Sequence, residues 1–238
     1  MDEKCAKIEK GVLIEYDDMA TPFPPIGYDI VPSNVKKIGA FAFANCHEIL
    51  ELYIPWYVKE IPETNFVDRT GDFEKMHQSP NFTIFGEKDT VAEIVAKQAG
   101  VNFVETNAWI VNNKLYNYFG KSEKFAIPEG IVSTWGEAFN LTPYIEEVTL
   151  PTTLKYISSK SFLNCKKIKK ITIPKGVNGM GSEVFKNCKS LTEIVFENGD
   201  TKMDNNCFKG CPDILVKAPA GGFVEDYAIK NNLRFQAI

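Results

Sequence analysis

The chain has 238 residues, of which 44% are hydrophobic, and a formal net charge of -4. This balance suits one elongated domain or two compact domains with a substantial core. The mild acidity argues against a nucleic-acid binder, which would normally carry a strong basic excess. No apolar run approaches the ~20 residues that a membrane-spanning helix needs, so we expect no membrane span.

The N-terminal segment predicts a β-hairpin rather than a targeting sequence. Its first ten residues lack the apolar core of a secretory signal. Two locations stay open: the cytoplasm on the sequence as given, or the cell surface or the medium if a signal segment is missing. Alternating apolar residues from Ile8 to Tyr16 flank Lys10-Gly11, which indicates the hairpin. The proline-rich stretch 21–25 then breaks regular structure.

Most of the remaining chain repeats with a period of 23 residues. The clearest registers are those of Phe162, Phe185 and Phe208, of Cys165, Cys188 and Cys211, and of Ile168, Leu191 and Ile214. The same spacing separates Phe43 from Phe66, so repeats also occupy residues 32–66. A fixed period of this length predicts a solenoid, in which each turn buries its apolar side by stacking on its neighbours.

The period is interrupted at residues 67–80, where about ten residues are inserted as a polar loop. A loop on a rigid scaffold either carries function or is a neutral insertion, and both readings stay open. After the loop, Thr90 is placed as a helix N-cap with Glu93 at the capping-box spacing. Gly100 is placed as the helix stop. A strand, this helix and a final strand would close the open end of a stack.

Both end elements occur twice. The stretch from Gly222 to Phe235 matches the closing element at an offset of 132 residues. The stretch from Trp109 to Tyr118 matches the opening hairpin at an offset of 102 residues. We therefore expect two modules, residues 1–105 and residues 106–238, each built as a hairpin, repeats and a helical cap.

The repeat itself has a physical explanation. Four residues before the motif phenylalanine stand residues that suit a helix N-cap, namely Gly39, Ser158, Gly181 and Asp204. Two residues after it stand residues that tolerate a positive φ, namely Asn45, Asn164, Asn187 and Gly210. This pattern predicts one short α or 3-10 turn with the phenylalanine pointing inward. A strand follows, and prolines such as Pro151 and Pro174 end it.

The six cysteines are predicted to be buried free thiols rather than disulfides. Four of the cysteines share one repeat register. They are Cys46, Cys165, Cys188 and Cys211. A small apolar thiol suits a core position of this kind. Cys207 falls in a neighbouring register that prefers small residues. A metal site is not expected, because the spacing Cys207-x-x-x-Cys211 has no second cysteine pair or nearby histidine.

The stretch from Ile38 to Pro55 follows, almost throughout, the pattern Ile-Gly-x-x-Ala-Phe-x-x-Cys-x-x-Leu-x-x-Ile-x-Ile-Pro. It resembles the leucine-rich repeats of the BspA type, also called the Treponema pallidum type, which occur in bacterial proteins. The resemblance implies a leucine-rich repeat solenoid, an α/β and β-rich fold of parallel stacked strands with hairpin and helical caps. Arg69 and Thr142 at the cysteine register and Thr134 at the isoleucine register depart from the pattern and are expected to weaken their repeats.

Enzyme chemistry is not indicated. The histidines are His47, in a variable repeat position, and His77, in the inserted loop. The sequence holds no glycine-rich phosphate loop and no nucleophile elbow. We therefore expect a non-enzymatic protein without a cofactor.

The candidate site is the outward side of the strands. Its predicted residues are Glu51 and Tyr53 in the first module and Glu146, Glu147, Lys169, Lys170, Thr172, Thr192 and Glu193 in the second. With Lys166 and Lys167 nearby, the lysine row would be a positive patch for an acidic partner. The alternative is a solvated face that mixed charge keeps soluble.

The function expected from these features is a protein–protein interaction module whose partner is a protein. The resemblance to BspA-type proteins implies adhesion or binding of host and matrix proteins at a cell surface. Two alternatives stay open. One is a cytoplasmic scaffold or regulatory binder, and the other is a structural fragment of a longer surface repeat protein.

Overall fold

The computed structural model describes residues 6–16, 28–31, 34–43, 51–62, 65, 82–140 and 142–238. The chain divides into two compact units, Met1–Asn107 and Ala108–Ile238. The proline-rich stretch, the inserted loop, Cys5, Cys46, Asn45, both histidines, Phe66 and Arg69 lie outside the described residues. Within the described ranges, no helix has the length and apolarity needed to cross a membrane.

The first unit contains a hairpin, stacked strands and a closing helix. In chain order these are β1 Ala6–Glu9, β2 Val12–Tyr16, β3 Tyr28–Ile30, β4 Lys37–Ile38, β5 Glu51–Tyr53, β6 Thr83–Gly86, α1 Val91–Ala99 and β7 Asn102–Glu105. One sheet has the order β1-β2-β4 and the other the order β3-β5-β6-β7. Every pairing is parallel except that of the hairpin strands β1 and β2.

The second unit repeats this plan over more turns. Its strands are β8 Ala108–Val111, β9 Lys114–Tyr118, β10 Lys124–Ala126, β11 Ser133–Thr134, β12 Glu147–Thr149, β13 Tyr156–Ile157, β14 Lys170–Ile173, β15 Gly179–Met180, β16 Glu193–Phe196, β17 Lys202–Met203 and β18 Leu215–Ala218, followed by α2 Phe223–Lys230 and β19 Arg234–Ala237. Three sheets result, with the orders β17-β15-β13-β11-β9-β8, β10-β12 and β14-β16-β18-β19. The parallel solenoid, the hairpins and the helical caps predicted from the sequence are confirmed.

The helical caps begin alike, with one change from the predicted capping box. The Glu93 carboxylate accepts a hydrogen bond from the backbone N–H of Asp89 at 2.8 Å, one residue before the N-cap Thr90. In α2, Glu225 accepts in the same way from the backbone N–H of Gly221 at 2.6 Å. Gly100 ends α1 in the left-handed conformation, as predicted.

Stacked phenylalanines form the centre of the second unit. The ring centroids of Phe139 and Phe162 are 4.6 Å apart, those of Phe162 and Phe185 are 5.0 Å apart, and those of Phe185 and Phe208 are 5.9 Å apart. Neighbouring rings deviate from parallel by 13° or less. All four rings are buried. One phenylalanine per turn therefore builds a continuous aromatic column.

The segment that carries each phenylalanine forms successive tight turns rather than a continuous helical turn. The predicted left-handed residues are confirmed at Asn164, Asn187 and Gly210. A second left-handed residue stands two positions before each phenylalanine, for example Lys160 with φ of 63° and Glu183 with φ of 58°. This residue breaks the helical path, since only single residues adopt that conformation.

Alternate amides in these turns link one turn to the next. The backbone N–H of Phe162 donates to the carbonyl of Val184 at 3.0 Å, and the N–H of Asn164 donates to the carbonyl of Lys186 at 3.0 Å. The intervening N–H of Leu163 donates within its own turn, to the carbonyl of Lys160 at 2.9 Å. Buried backbone groups need partners. The left-handed residues therefore allow a second hydrogen-bonded ladder beside the strands.

The cysteines continue this ladder, and none of the four in the described ranges is oxidised. The Cys188 thiol donates to the carbonyl of Phe162 at 3.1 Å, and the Cys211 thiol donates to the carbonyl of Phe185 at 2.9 Å. Burial raises the pKa of Cys165 to about 12 and, as the largest cause, that of Cys207 to about 11. The prediction of buried free thiols is confirmed for Cys165, Cys188 and Cys207, whereas Cys211 is half-buried.

The departures at Thr134 and Thr142 are accommodated by hydrogen bonds. Both side chains are fully buried. The Thr134 hydroxyl lies 2.7 Å from the Ser161 hydroxyl and accepts from the backbone N–H of Ser158 at 2.9 Å. The Thr142 hydroxyl donates to the carbonyl of Phe139 at 3.3 Å. Each hydroxyl has a hydrogen-bond partner, so neither position leaves an unsatisfied polar group in the core. Burying a hydrogen-bonded hydroxyl costs little free energy.

We expect Phe185→Ala to lower the free energy of unfolding of the second unit by about 3–5 kcal/mol, because it leaves a cavity between two stacked rings. Urea denaturation of the full chain measures this loss. Ile229→Ala serves as the control, since Ile229 lies on α2 with 65% of its surface exposed. The control is expected to shift stability by less than about 0.5 kcal/mol. Equal small shifts for both variants would contradict the buried column.

Candidate functional site

The strands that follow the phenylalanines alternate between buried and outward residues. Val148, Ile171 and Ile194 point into the core of the second unit. The residues between them point outward, as expected for the pleat of a strand. We call the outward residues of β10, β12, β14, β16 and β18, with the turn residues that precede these strands, the outer face. It contains all seven site residues predicted in this unit.

Charges of alternating sign occupy one row of the outer face. Lys124 is paired in register with Glu147, and Lys170 is paired in register with Glu193. The Lys124 ammonium lies 2.7 Å from Glu147, and that of Lys170 lies 3.0 Å from Glu193. Glu193 also contacts Lys217 at 3.1 Å. The row is therefore a series of ion pairs between neighbouring turns.

The predicted positive patch is largely neutralised, which corrects the sequence-based expectation. The Lys167 ammonium contacts Glu123 at 2.9 Å and Glu146 at 3.0 Å. Lys170 is paired as described above. Within the described residues, only Lys166 and Lys169 of these lysines form no ion pair, and both are exposed. The physical reason is the stacking of the turns, which brings Lys167 and Lys170 beside glutamates of other turns.

The pairs change the titration of their members. Hydrogen bonds from Lys170 and then Lys217 hold the pKa of the Glu193 carboxyl below its usual value. Hydrogen bonds to Glu123 and Glu146 raise the pKa of Lys167. Exposed ion pairs contribute little to stability. Their main consequence is to neutralise most of the lysine charge on the outer face.

A cavity of about 380 Å³ opens in the middle of this face. It lies between β12 and β14, which occupy successive turns but belong to different hydrogen-bonded sheets. Its lining residues are Glu147, Val148, Thr149, Leu150, Thr152, Lys170, Ile171, Thr172, Pro174 and Glu197. In the described part of the chain, the hydroxyls of Thr149 and Thr172 form no hydrogen bond with the protein. The cavity lining thus combines apolar residues with two available hydroxyls.

The structure brings only some predicted residues to this cavity. Glu147, Lys170 and Thr172 line it. Lys169 and Thr192 are exposed on the outer face beside it, and the Thr192 hydroxyl donates to the Lys169 carbonyl at 3.4 Å. Glu146 is exposed, and Glu193 is half-buried beneath its two lysines. The predicted set is therefore one contiguous face, of which three members frame the cavity.

The sequence predicts that Glu51 and Tyr53 of the first unit are both exposed, and the structure differs. Glu51 is half-buried. Tyr53 is only 5% exposed, because its ring stacks on Phe85 of β6 with centroids 4.6 Å apart. These strands pair in register with Tyr53 opposite Phe85. Two aromatic residues that face outward in adjacent strands cover each other, so this row offers little accessible surface.

Sequence reasoning missed the partners of the charged residues. Glu123, Lys124 and Lys217 belong to the outer face as much as the predicted residues do. The 23-residue spacing already places Lys124, Glu147, Lys170 and Glu193 in one row, so this signal was present. The opening between β12 and β14 leaves no comparable trace in the sequence.

The stacked parallel turns, each with one buried phenylalanine and an ordered polar outer face, define a leucine-rich repeat solenoid. A family profile described as "BspA type Leucine rich repeat region" matches in six copies, over residues 28–88 and 104–232. The chain therefore belongs to the BspA-type leucine-rich repeat family. This family suggests a protein-interaction module. No curated protein matched the chain.

Solved structures of leucine-rich repeat proteins are similar to this chain at low identity. The Treponema pallidum protein TpLRR is 15% identical, with a TM-score of 0.31 over 91% of this chain and 70% of that chain. A leucine-rich repeat protein from Bacteroides ovatus is 17% identical, with a TM-score of 0.41 over 88% and 71%. The pneumococcal vaccine antigen PcpA is 11% identical, with a TM-score of 0.39 over 95% and 71%.

The stability contributed by the Glu193 ion pairs is expected to depend on pH. The folded pKa of Glu193 is lowered, so this contribution is present above the unfolded value of about 4.3 and is lost as pH falls through the folded value. Glu193→Gln should therefore be less stable than the wild type at pH 7, and the difference should shrink at about pH 3. Chemical denaturation at both pH values measures it.

Asp200→Asn is the matched control, because Asp200 is exposed and forms no ion pair within the described ranges. It should show no comparable difference at pH 7. A Glu193→Gln loss of the same size at both pH values would show that the carboxylate charge is not what stabilises this row.

Proposed function

We propose that the chain is a non-enzymatic protein-binding module that seats a protein ligand on the outer face of its second unit. The observation that carries this proposal is the cavity of about 380 Å³ between β12 and β14. Ligand cavities in proteins range from about 300 to 1,000 Å³, so this one suits a single anchoring side chain of a larger partner. Membership of a repeat family that suggests protein interaction supports the same conclusion.

The surroundings of the cavity favour recognition by shape and hydrogen bonds. The apolar residues of the lining are Val148, Leu150, Ile171 and Pro174, while Thr149 and Thr172 supply hydroxyls. The glutamate and lysine beside them, Glu147 and Lys170, are engaged by ion-pair partners. A partner side chain with an apolar body and a polar tip, such as tyrosine, matches this lining. The ion-paired residues around the cavity form a polar rim.

The chemistry of the face supports a binding role rather than catalysis. Its carboxylates are hydrogen-bonded to lysines, which lowers the pKa of Glu146 and Glu193 rather than raising either toward neutrality. General acid–base catalysis near neutral pH favours the opposite shift for a glutamate. The thiols of Cys165 and Cys207 are buried, and burial raises their pKa, which disfavours the nucleophilic thiolate.

Two settings for this binding are proposed, each with its own support. Adhesion to host or matrix proteins is the first and follows from the resemblance to BspA-type proteins. A cytoplasmic scaffold or regulatory binder is the second. Four free thiols in the described ranges favour it, because free cysteines are typical of reducing compartments.

Biolayer interferometry with the full chain tests the site. Immobilised extracellular-matrix proteins represent the first setting, and a fractionated cytoplasmic extract of the source organism represents the second. Thr172→Arg places a large charged side chain in the cavity and is expected to weaken partner binding at least about tenfold. Binding to the matrix panel alone favours adhesion, and binding to the extract alone favours the scaffold.

Ile229→Arg is the matched control, because it adds the same side chain at an exposed position of α2, outside the outer face. It is expected to leave binding within about twofold of the wild type. If Thr172→Arg binds every partner as tightly as the wild type does, the cavity is not the site.

A further inference from the structure

A second surface of the second unit combines exposed aromatic rings with lysines. It lies on the six-stranded sheet β17-β15-β13-β11-β9-β8, whereas the outer face belongs to other strands. We call it the aromatic–lysine face, and its residues are Lys114, Tyr116, Trp135, Lys155, Tyr156 and Lys202. Trp135 stands four residues before Phe139, at the register that Ser158 and Gly181 occupy in the next two turns.

The rings of this face form an ordered stack. The centroids of Trp109 and Tyr116 are 4.7 Å apart, and those of Tyr116 and Trp135 are 5.2 Å apart. The Lys114 ammonium lies 4.7 Å from the centroid of the Trp135 ring. Stacking of this kind fixes the rings before any partner arrives. A partner would therefore lose little free energy in ordering them.

The outermost ring of the stack remains accessible. Trp135 is 52% exposed, and Tyr156, on the next strand of the sheet, is 43% exposed. Large exposed apolar side chains grouped on one surface indicate a binding site. Tryptophan and tyrosine are also the residues most enriched among those that dominate binding energy at interfaces.

The neighbouring turns leave room beside these rings. Tyr156 is paired in register with Gly179, and its ring lies so close that a Cβ added to Gly179 would stand 3.1 Å from it. The positions 23 and 46 residues after Trp135 are Ser158 and Gly181. No large side chain therefore covers the Trp135 ring from the turns that follow it in this row.

The charge of this face differs from that of the outer face. Lys114, Lys155 and Lys202 have no carboxylate partner within the described part of the chain. Asp204, which falls in the row of Trp135, contributes a negative charge to this face. Burial and then the charge of Asp204 raise the pKa of Tyr156. On the outer face, by contrast, most lysines contact a glutamate. Unneutralised lysines around an apolar patch complement a partner that carries carboxylates.

The spacing of the lysines favours a peptide over a highly charged glycan. Lys114 and Lys202 belong to one row, joined through Ser133, Tyr156 and Gly179. At about 4.8 Å per strand, they are roughly 19 Å apart. An extended peptide covers that distance in about six residues. A densely sulfated chain would have to place its charges across the Tyr156 ring, whereas an acidic peptide can place an aromatic side chain there.

We propose that the aromatic–lysine face binds an extended acidic peptide segment of a partner protein, with carboxylates on the lysines and an aromatic side chain against Trp135 and Tyr156. This binding surface is separate from the cavity of the outer face. The two sites would let one unit engage two protein segments. Their failures are distinguishable, because the substitutions that test each site lie on different sheets.

Binding of defined polymers to the immobilised full chain tests this proposal. The probes are a random glutamate–tyrosine copolymer, a glutamate homopolymer and dextran sulfate, measured by biolayer interferometry at low ionic strength. We expect the copolymer to bind at least about tenfold more tightly than the homopolymer and than dextran sulfate. We also expect its binding to weaken with added salt.

Two variants assign the binding to this face. Lys155→Glu/Lys202→Glu should weaken copolymer binding at least about tenfold, and Trp135→Ser should remove the preference for copolymer over homopolymer. Lys209→Glu/Lys230→Glu is the charge-matched control, because both lysines are exposed and lie outside both faces, and it should bind the copolymer as the wild type does. Circular dichroism verifies the fold of each variant, and the lysine variants suffice if Trp135→Ser does not fold.

Several results would overturn the proposal. They are absence of copolymer binding, equal binding of both glutamate polymers, and tighter binding of dextran sulfate, which would indicate a polyanionic glycan instead. An equal loss in the control and in Lys155→Glu/Lys202→Glu would also overturn it, since that result reports net charge rather than a site.

Discussion

The stacking of one phenylalanine per turn is the interaction on which the rest of the second unit depends. A single turn buries little apolar surface, so its stability comes from its contacts with the turns on either side. The column of rings continues into both end elements. Tyr118 of β9 lies 5.9 Å from Phe139, and Tyr227 of α2 lies 6.2 Å from Phe208.

The two ends of the column are tyrosines for a physical reason. The Tyr118 hydroxyl donates to the carbonyl of Ser122 at 3.1 Å, and the Tyr227 hydroxyl donates to the carbonyl of Asp204 at 3.4 Å. A tyrosine closes an apolar stack while its hydroxyl keeps a polar partner. In the first unit, Tyr16 of the hairpin packs against Phe43 with centroids 6.2 Å apart. The hairpin thus contributes the same kind of closing ring in both units.

The regular column fixes the register of the surfaces outside it. Side chains 23 residues apart form rows across the turns. The charge and the size of a surface row therefore depend on which residue each turn has at that position. On the outer face the row from Lys124 to Glu193 alternates in sign and is held by ion pairs. On the aromatic–lysine face, Tyr116 and Trp135 stack while Lys155 and Lys202 form no ion pair within the described residues. One scaffold therefore presents two surfaces of different chemistry.

The sequence predicts those features that depend on a repeated local pattern. The inward phenylalanines, the left-handed Asn164 and Asn187, and the two hairpins follow from spacing and backbone preferences. The left-handed Lys160 and Glu183 could not be predicted, because lysine and glutamate have no preference for that conformation. It is imposed by the amide ladder, in which the N–H of Lys160 donates to the carbonyl of Ser182 at 3.0 Å. The cavity and the exposure of Trp135 depend on how particular turns fit together, which no single repeat encodes.

The most direct test of this account is a double-mutant cycle on the aromatic column. Phe162 and Phe185 are adjacent in the stack, whereas Phe139 and Phe185 are separated by the ring of Phe162. Leucine substitutions, measured by chemical denaturation, should give a coupling energy of about 0.5–1.5 kcal/mol for the adjacent pair. The separated pair should be additive within about 0.5 kcal/mol. Equal coupling in both pairs, or none in the adjacent pair, would contradict a column held together by contacts between neighbouring turns.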